Sequence, residues 1–216
     1  METGIEFFYH IPDTTDVSSR AAKVAIELSS VPNRLTQTER SRCDHLDGRP
    51  ENVSEHENML AHVAPHLAST LYPDLDIGLV SMYANIHDDL EAYVGDTPTD
   101  TYADLDLSAK KQKEEEALRV LLLEFSHIPE YAHLIQSYES ADTAEARFVR
   151  ATDKLMVLLV HFYNDGSILK SRYTATSSIE SEEVLLARDR HKYYEFDKII
   201  ELRKELAQVL VARYLS

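Results

Sequence analysis

The chain has 216 residues, 44% of them apolar, with 38 acidic against 22 basic side chains and a formal charge of −16. That length and apolar share exclude whole-chain disorder and are ample for a core, while the acidity argues against duplex nucleic acid or an anionic membrane surface as partner. A single cysteine, Cys43, excludes an internal disulfide and a cysteine-based zinc site.

Five Gly and seven Pro are too few for a turn-rich all-β protein, so helix is the default. Met1 to Asp13 lacks the basic and apolar regions of a signal peptide, which leads to the expectation of a cytoplasmic protein, or one in host cytoplasm if phage-encoded. Residues 17–31 place Ala22, Val24, Ala25 and Leu28 at helical spacing after the potential cap Asp16. Residues 32–52, with Pro32, Asn33, Asp44, Asp47, Gly48 and Pro50, read as a long loop with at most a helical turn. Within it, Asn52-Val53-Ser54 fits a glycosylation acceptor, an accidental match without a secretion signal.

Helix resumes near Val53 and runs to about Leu71, where YPDLD breaks it, and a third helix covers about 77–93. A turn-rich acidic stretch, 97–107, precedes a charged helix capped by Ser108, and Pro129 opens another to about Ser140. Asp142-Thr143-Ala144-Glu145 resembles a capping box before a long helix over 143–163, whose stripe of Phe148, Thr152, Leu155, Val157, Leu158 and Leu159 is apolar enough to be central. Its apolar run, Leu155 to Tyr163, is too short to span a bilayer. A helix or helix pair over 178–214 closes the chain. No repeat and no interdomain linker is visible. The expectation is one all-α domain, a helical bundle over 1–216.

A cluster of metal-ligating residue types stands out. His87-Asp88 alone is a weak signal in a chain with ten His. His56 lies near the start of one helix, and Asp153 lies inside a helix that otherwise reads as core, where a carboxylate suffers desolvation unless a cation satisfies it. Two imidazoles and two carboxylates from three helices suit one borderline or hard divalent ion, such as Mn, Co, Zn, Fe or Mg, acting as a Lewis acid on a phosphoryl group and activating water. Glu91, three and four residues after Asp88 and His87, falls on the same helix face and is the candidate proton carrier. Asp96, just after Gly95, lies on a turn where it can face substrate.

These segments resemble the HD superfamily, whose pattern is a His, a His-Asp pair and a distant Asp. RPENVSEH, HDDLEAYVGDTPTD and AEARFVRATDKLM are most similar to the branch of bacterial 5′-deoxynucleotidase and its eukaryotic relatives, with compact phage-type dNTP triphosphohydrolases of related layout. The resemblance covers roughly residues 30–165. It implies His56, His87, Asp88 and Asp153 as metal ligands, Glu91 as catalytic acid/base, and Asp96, Thr97 and Thr99 as a substrate-binding turn. It also implies a phosphate-holding Arg some fifteen residues before the first His, for which Arg40 and Arg42 are the candidates. The aromatic that follows that Arg in the family is replaced here by Ser41 or Cys43.

Blander readings apply elsewhere. His62 and His66 read as surface or packing residues, and the neighbours of His127 and His133 do not resemble the extra ligands of two-metal HD proteins. Arg147 and Arg150 read as solvated, Lys154 as facing outward, and the twelve Tyr as core or interface. The activity implied is a 5′-nucleotidase releasing phosphate from deoxynucleoside monophosphates. The alternatives are a dNTP triphosphohydrolase, for example dATP-directed, and a non-catalytic nucleotide-binding module. The Glu-Asp pair of (p)ppGpp hydrolases and the GYP motif of cyclic-nucleotide hydrolases are missing. Relatives often form dimers, and the amphipathic last helix offers a surface for a homodimer or higher homo-oligomer.

Overall fold

Side-chain caps set five of the helix starts. The computed structural model describes residues 12–96 and 107–216, with Arg42 and residues 107–110 as backbone only. Ser19 caps α1 (Arg20–Leu35), which starts three residues later than its pattern predicts. Asn52 caps α2 (Val53–Leu71) by accepting from Glu55 N at 2.9 Å, while the Glu55 carboxylate accepts from Asn52 N in return. This reciprocal box accounts for Asn52 without any glycan. Asp76 caps α3 (Ile77–Ala84). Thr143 alone caps α7 (Ala144–Tyr163); the box expected there does not form, because the N3 residue is then Ala146, and Glu145 instead accepts from Asp76 N at 3.0 Å.

The remaining helices are α4 (Glu91–Val94), α5 (Leu107–Glu124), α6 (Pro129–Ser140), α8 (Ser167–Arg172), α9 (Ala175–Lys192) and α10 (Asp197–Tyr214). The described chain is all-α apart from one small hairpin. Two expectations need correction. The long loop over 32–52 contains β1 (Glu39–Asp44) and β2 (Pro50–Asn52), paired antiparallel with an irregular register, and α1 extends through Pro32 to Leu35. The strands lack an apolar alternation because their support comes from outside: Asn164 Nδ2 donates to Asp44 O, and Cys43 is buried.

The second correction concerns the third helix, which ends at Ala84. Residues 85–90 continue as tight turns, with Asp89 N bonded to Ile86 O and Glu91 N to Asp88 O, before the single turn of α4. A pattern rich in Ile, Leu and Tyr suits either arrangement, so periodicity alone does not separate them. Gly95, at φ 74°, ends α4 in a conformation that ordinary side chains avoid.

The main core lies between α2, α3, α7 and α10. Leu60, Ala64 and Ala68 of α2 face Val80, Tyr83 and Ala84 of α3 and Phe148, Val149 and Leu155 of α7. The small alanines let the helices approach, and each buried Leu contributes about 1.5–3 kcal/mol of burial. Tyr72, Phe148 and Phe196 meet edge to face, joining α2, α7 and the start of α10. A second cluster, with Leu35, Val53, Leu121, Phe125 and Ile135, ties α1 and α5 to α6. Among the described residues no helix is long and apolar enough to cross a membrane.

Candidate metal centre

Three elements bring the sequence-predicted residues together. The capping box fixes the first turn of α2, from which His56 points inward and is almost fully buried. The turns after α3 carry His87 and Asp88, and α7 carries Asp153. One ligand atom from each of His56, His87 and Asp88 lies within 4.8 Å of the others. His56 Nε2 is 3.0 Å from Asp153 Oδ1 and 3.4 Å from Asp88 Oδ2; His87 Nε2 is 3.1 Å from Asp88 Oδ2 and 3.9 Å from Asp153 Oδ1.

The donor set fits a divalent cation, and His87 carries the test. Its Nδ1 lies 3.1 Å from Ala84 O, an acceptor, so Nδ1 holds the proton and a neutral ring keeps its lone pair on Nε2. Nε2 is buried and forms no hydrogen bond. Asp88 raises the pKa of His87 against the effect of burial, yet its oxygen stands off the direction an Nε2–H would take. In the neutral ring that lone pair faces two carboxylates, a repulsion that either a proton on Nε2 or a cation between them relieves. His56, His87, Asp88 and Asp153 would hold that ion.

The surrounding charges are unequal. Burial works against the charge of Asp88, but His87 and His56 hold its pKa at about 2. Burial likewise opposes the charge of Asp153, and Lys154 followed by His56 keeps its pKa well below the carboxylate range. Lys154 therefore does not face outward: it is half-buried, with Nζ 2.6 Å from Asp153 Oδ2. Arg147 and Arg150 are not simply solvated either. Arg147 pairs with Glu195, while Arg150 pairs with Glu139 and stacks over Tyr138.

Glu91 is placed differently from its predicted position on a continuous helix, at the first residue of α4, and its Oε2 is buried with no partner among the described residues. Burial, then the charges of Asp88 and Asp96, push its carboxyl up to about 10, so it is protonated at neutral pH before a cation compensates Asp88. Asp96 Oδ2 accepts from Ser41 N at 2.7 Å, which ties the turn after α4 to β1. Arg40 reaches in from β1: Nη1 lies 2.8 Å from Glu51 Oε2 and 2.8 Å from His56 Nδ1. Thr97, Thr99 and the Arg42 side chain lie outside the described residues. His62, His66 and His133 are exposed, and His127 pairs with Glu27, so these four stay away from the centre.

Sequence reasoning missed three buried acids beside the centre. Glu51 pairs with Arg40. Glu57 accepts from Asp88 N at 3.3 Å, and burial followed by Asp89 and Asp88 pushes it up to about 10. Asp89 accepts from the Tyr131 hydroxyl at 2.6 Å, and burial pushes it up to about 7. Their signal was adjacency: Glu57 and Asp89 each follow a ligand directly, in segments where every charged side chain must find a partner.

Residues 33–190 match the family model of the HD domain. Among solved structures, the chain resembles one from Magnetospirillum magnetotacticum described as a predicted metal-dependent phosphohydrolase. The two are 28% identical, the match covers 96% of this chain and 100% of that one, and the TM-score is 0.69. A conserved hypothetical protein from Pyrococcus furiosus is 26% identical over 66% of this chain and 82% of its own, with a TM-score of 0.50. No curated protein matches. With the motif blocks, the convergent histidines and carboxylates and a family match over most of its length, the chain belongs to the HD domain family.

Proposed function

We propose that the chain is a metal-dependent phosphohydrolase of deoxynucleotides that releases phosphate from 5′-deoxynucleoside monophosphates. The observation that carries this reading is the pairing of a four-residue candidate ligand cluster with Glu91, whose Oε2 is buried without a hydrogen-bond partner among the described residues. The Magnetospirillum relative, described as a phosphohydrolase, supports the reaction class. The resemblance of HDDLEAYVGDTPTD to the deoxynucleotidase branch supports the substrate.

A bound divalent ion supplies Lewis acidity at the phosphoryl group and an activated water. The chain supplies the rest. His56, His87, Asp88 and Asp153 would hold the ion, and Lys154 orients the Asp153 carboxylate through its 2.6 Å pair. Arg40 brings positive charge to a pocket otherwise dominated by carboxylates, where a phosphate needs it. Glu91 holds a proton that it can deliver to the departing sugar oxygen. Asp96, anchored to Ser41, faces the sugar.

Metal-stripped protein incubated with Mn, Co, Zn or Mg and a panel of dNMPs, NMPs and dNTPs, with products separated by ion-pair chromatography, tests the proposal. Phosphate and nucleoside from dNMPs are expected. Triphosphate and nucleoside from a dNTP would replace the nucleotidase by a triphosphohydrolase on the same centre. Silence with every metal, in folded protein, would contradict both and leave a binding role.

A further inference from the structure

The contact between Arg40 and His56 sets a condition on how the centre is filled. A guanidinium has only donors, so Arg40 Nη1 at 2.8 Å from His56 Nδ1 requires the lone pair on Nδ1. The ring proton is then on Nε2, consistent with its 3.0 Å approach to Asp153 Oδ1. Yet Nε2 is the atom that faces His87 and both aspartates, and it can offer a lone pair to a cation only if the proton sits on Nδ1 instead. In that tautomer an Nδ1–H and an Arg40 Nη1–H would point at each other across a hydrogen-bond distance. The two arrangements are mutually exclusive.

Glu51 provides the way out. Its carboxylate is 1% exposed and shares Arg40 Nη1 with His56. If Arg40 leaves, a buried carboxylate and a buried N–H are left on either side of the place Nη1 filled, each 2.8 Å from it, and closing that gap would let each satisfy the other. Metal-ligating imidazoles commonly donate their second N–H to a carboxylate.

We propose that filling the centre moves the His56 proton from Nε2 to Nδ1, hands Nδ1–H to Glu51, and releases Arg40 from His56 to bind phosphate. One proton leaves Nε2 for solvent and one is taken up at Nδ1, so the ring's proton count is unchanged. Glu51 is thus a positioning residue acting through His56, and cation and phosphate binding are coupled through Arg40. The inference rests on the metal centre proposed above.

The test is 15N NMR of the histidine rings in the full chain, stripped and then loaded with Zn2+, beside calorimetric Zn2+ affinities of wild type, Arg40→Met and Glu51→Gln. The His56 signal is expected to change from Nε2–H to Nδ1–H on loading, a readout that needs no variant. Without phosphate, Arg40→Met is expected to bind Zn2+ about tenfold more tightly, having lost the competing donor. Glu51→Gln is expected to bind it about 10- to 100-fold more weakly. His56 already protonated on Nδ1 in the stripped protein, or an Arg40→Met protein that binds Zn2+ equally or less well, would overturn the exchange while leaving the metal centre standing. Absence of Zn2+ binding by folded wild type would overturn both.

Discussion

Two of the buried ionic clusters among the described residues are finished differently. Between α9 and α10, Arg203 is 4% exposed, bonds both oxygens of Glu182 at 2.5 and 3.1 Å, and gives Nη1 to Asp189 at 2.6 Å. Donors there meet acceptors, so the desolvation of the charges is offset within the cluster. At the centre between α2 and α7, His87 Nε2 and Glu91 Oε2 are buried without a hydrogen-bond partner among the described residues, and acids outnumber the Arg40 and Lys154 cations. A closed network pins helices together. An open one, held at a cost in stability, is arranged for something that arrives from outside.

Substitutions can break this contrast. The largest effect is expected for Asp88→Asn, which removes one ligand charge at constant volume. Phosphate release should fall by roughly a thousandfold or more, while cation-free stability in urea falls only modestly, because relief of the repulsion with Asp153 partly offsets the lost pairing with His87 and His56. Arg203→Met should do the reverse: it strands Asp189 and Glu182 and should cost about 3–5 kcal/mol in the same unfolding assay, with kcat per folded molecule unchanged. Glu91→Gln should lower kcat by about a hundredfold or more while Mn2+ affinity, measured calorimetrically, stays near wild type. Equal losses in kcat and Mn2+ affinity would make Glu91 a ligand instead.

A smaller effect comes from the box that orients His56. The hydrogen bonds from Arg49, opposed by partial burial and joined by Asn52 N, lower Glu55 to about 2 from an ordinary 4.5. A depressed carboxylate contributes stability above its unfolded value and loses it as pH falls through the folded one. Wild type should therefore exceed Glu55→Gln in unfolding free energy above pH 4.5, with the gap closing toward pH 2. Glu55 is 37% exposed, so solvent screening limits the gap to about 0.5–1 kcal/mol.

The sequence pointed to the candidate ligands more clearly than to their setting. Helix periods and caps located α2, α6 and α7; His87-Asp88 alone was a weak signal, and it was the resemblance of three motif blocks to the HD superfamily, with Asp153 in an otherwise apolar helix, that singled out His56, His87, Asp88 and Asp153. The tight turns at 85–90 were illegible, since a short apolar stretch satisfies helix and turn alike. The hairpin was also hidden: ERSRCD has no strand alternation, and its support comes from Asn164 at the far end of α7. Lys154, Arg147 and Arg150 looked solvated because their partners, apart from adjacent Asp153, lie on other elements or at distant positions. Polar networks depend on tertiary neighbours, which local patterns do not encode.

The central claim is that the open cluster is a cation site, and Co2+ titration of the metal-stripped chain tests it most directly. Followed by visible absorption and by thermal unfolding, wild type is predicted to take up one equivalent with a rise in Tm, and His87→Ala to show neither change. Equal uptake by His87→Ala, or no uptake by folded wild type, would contradict the account.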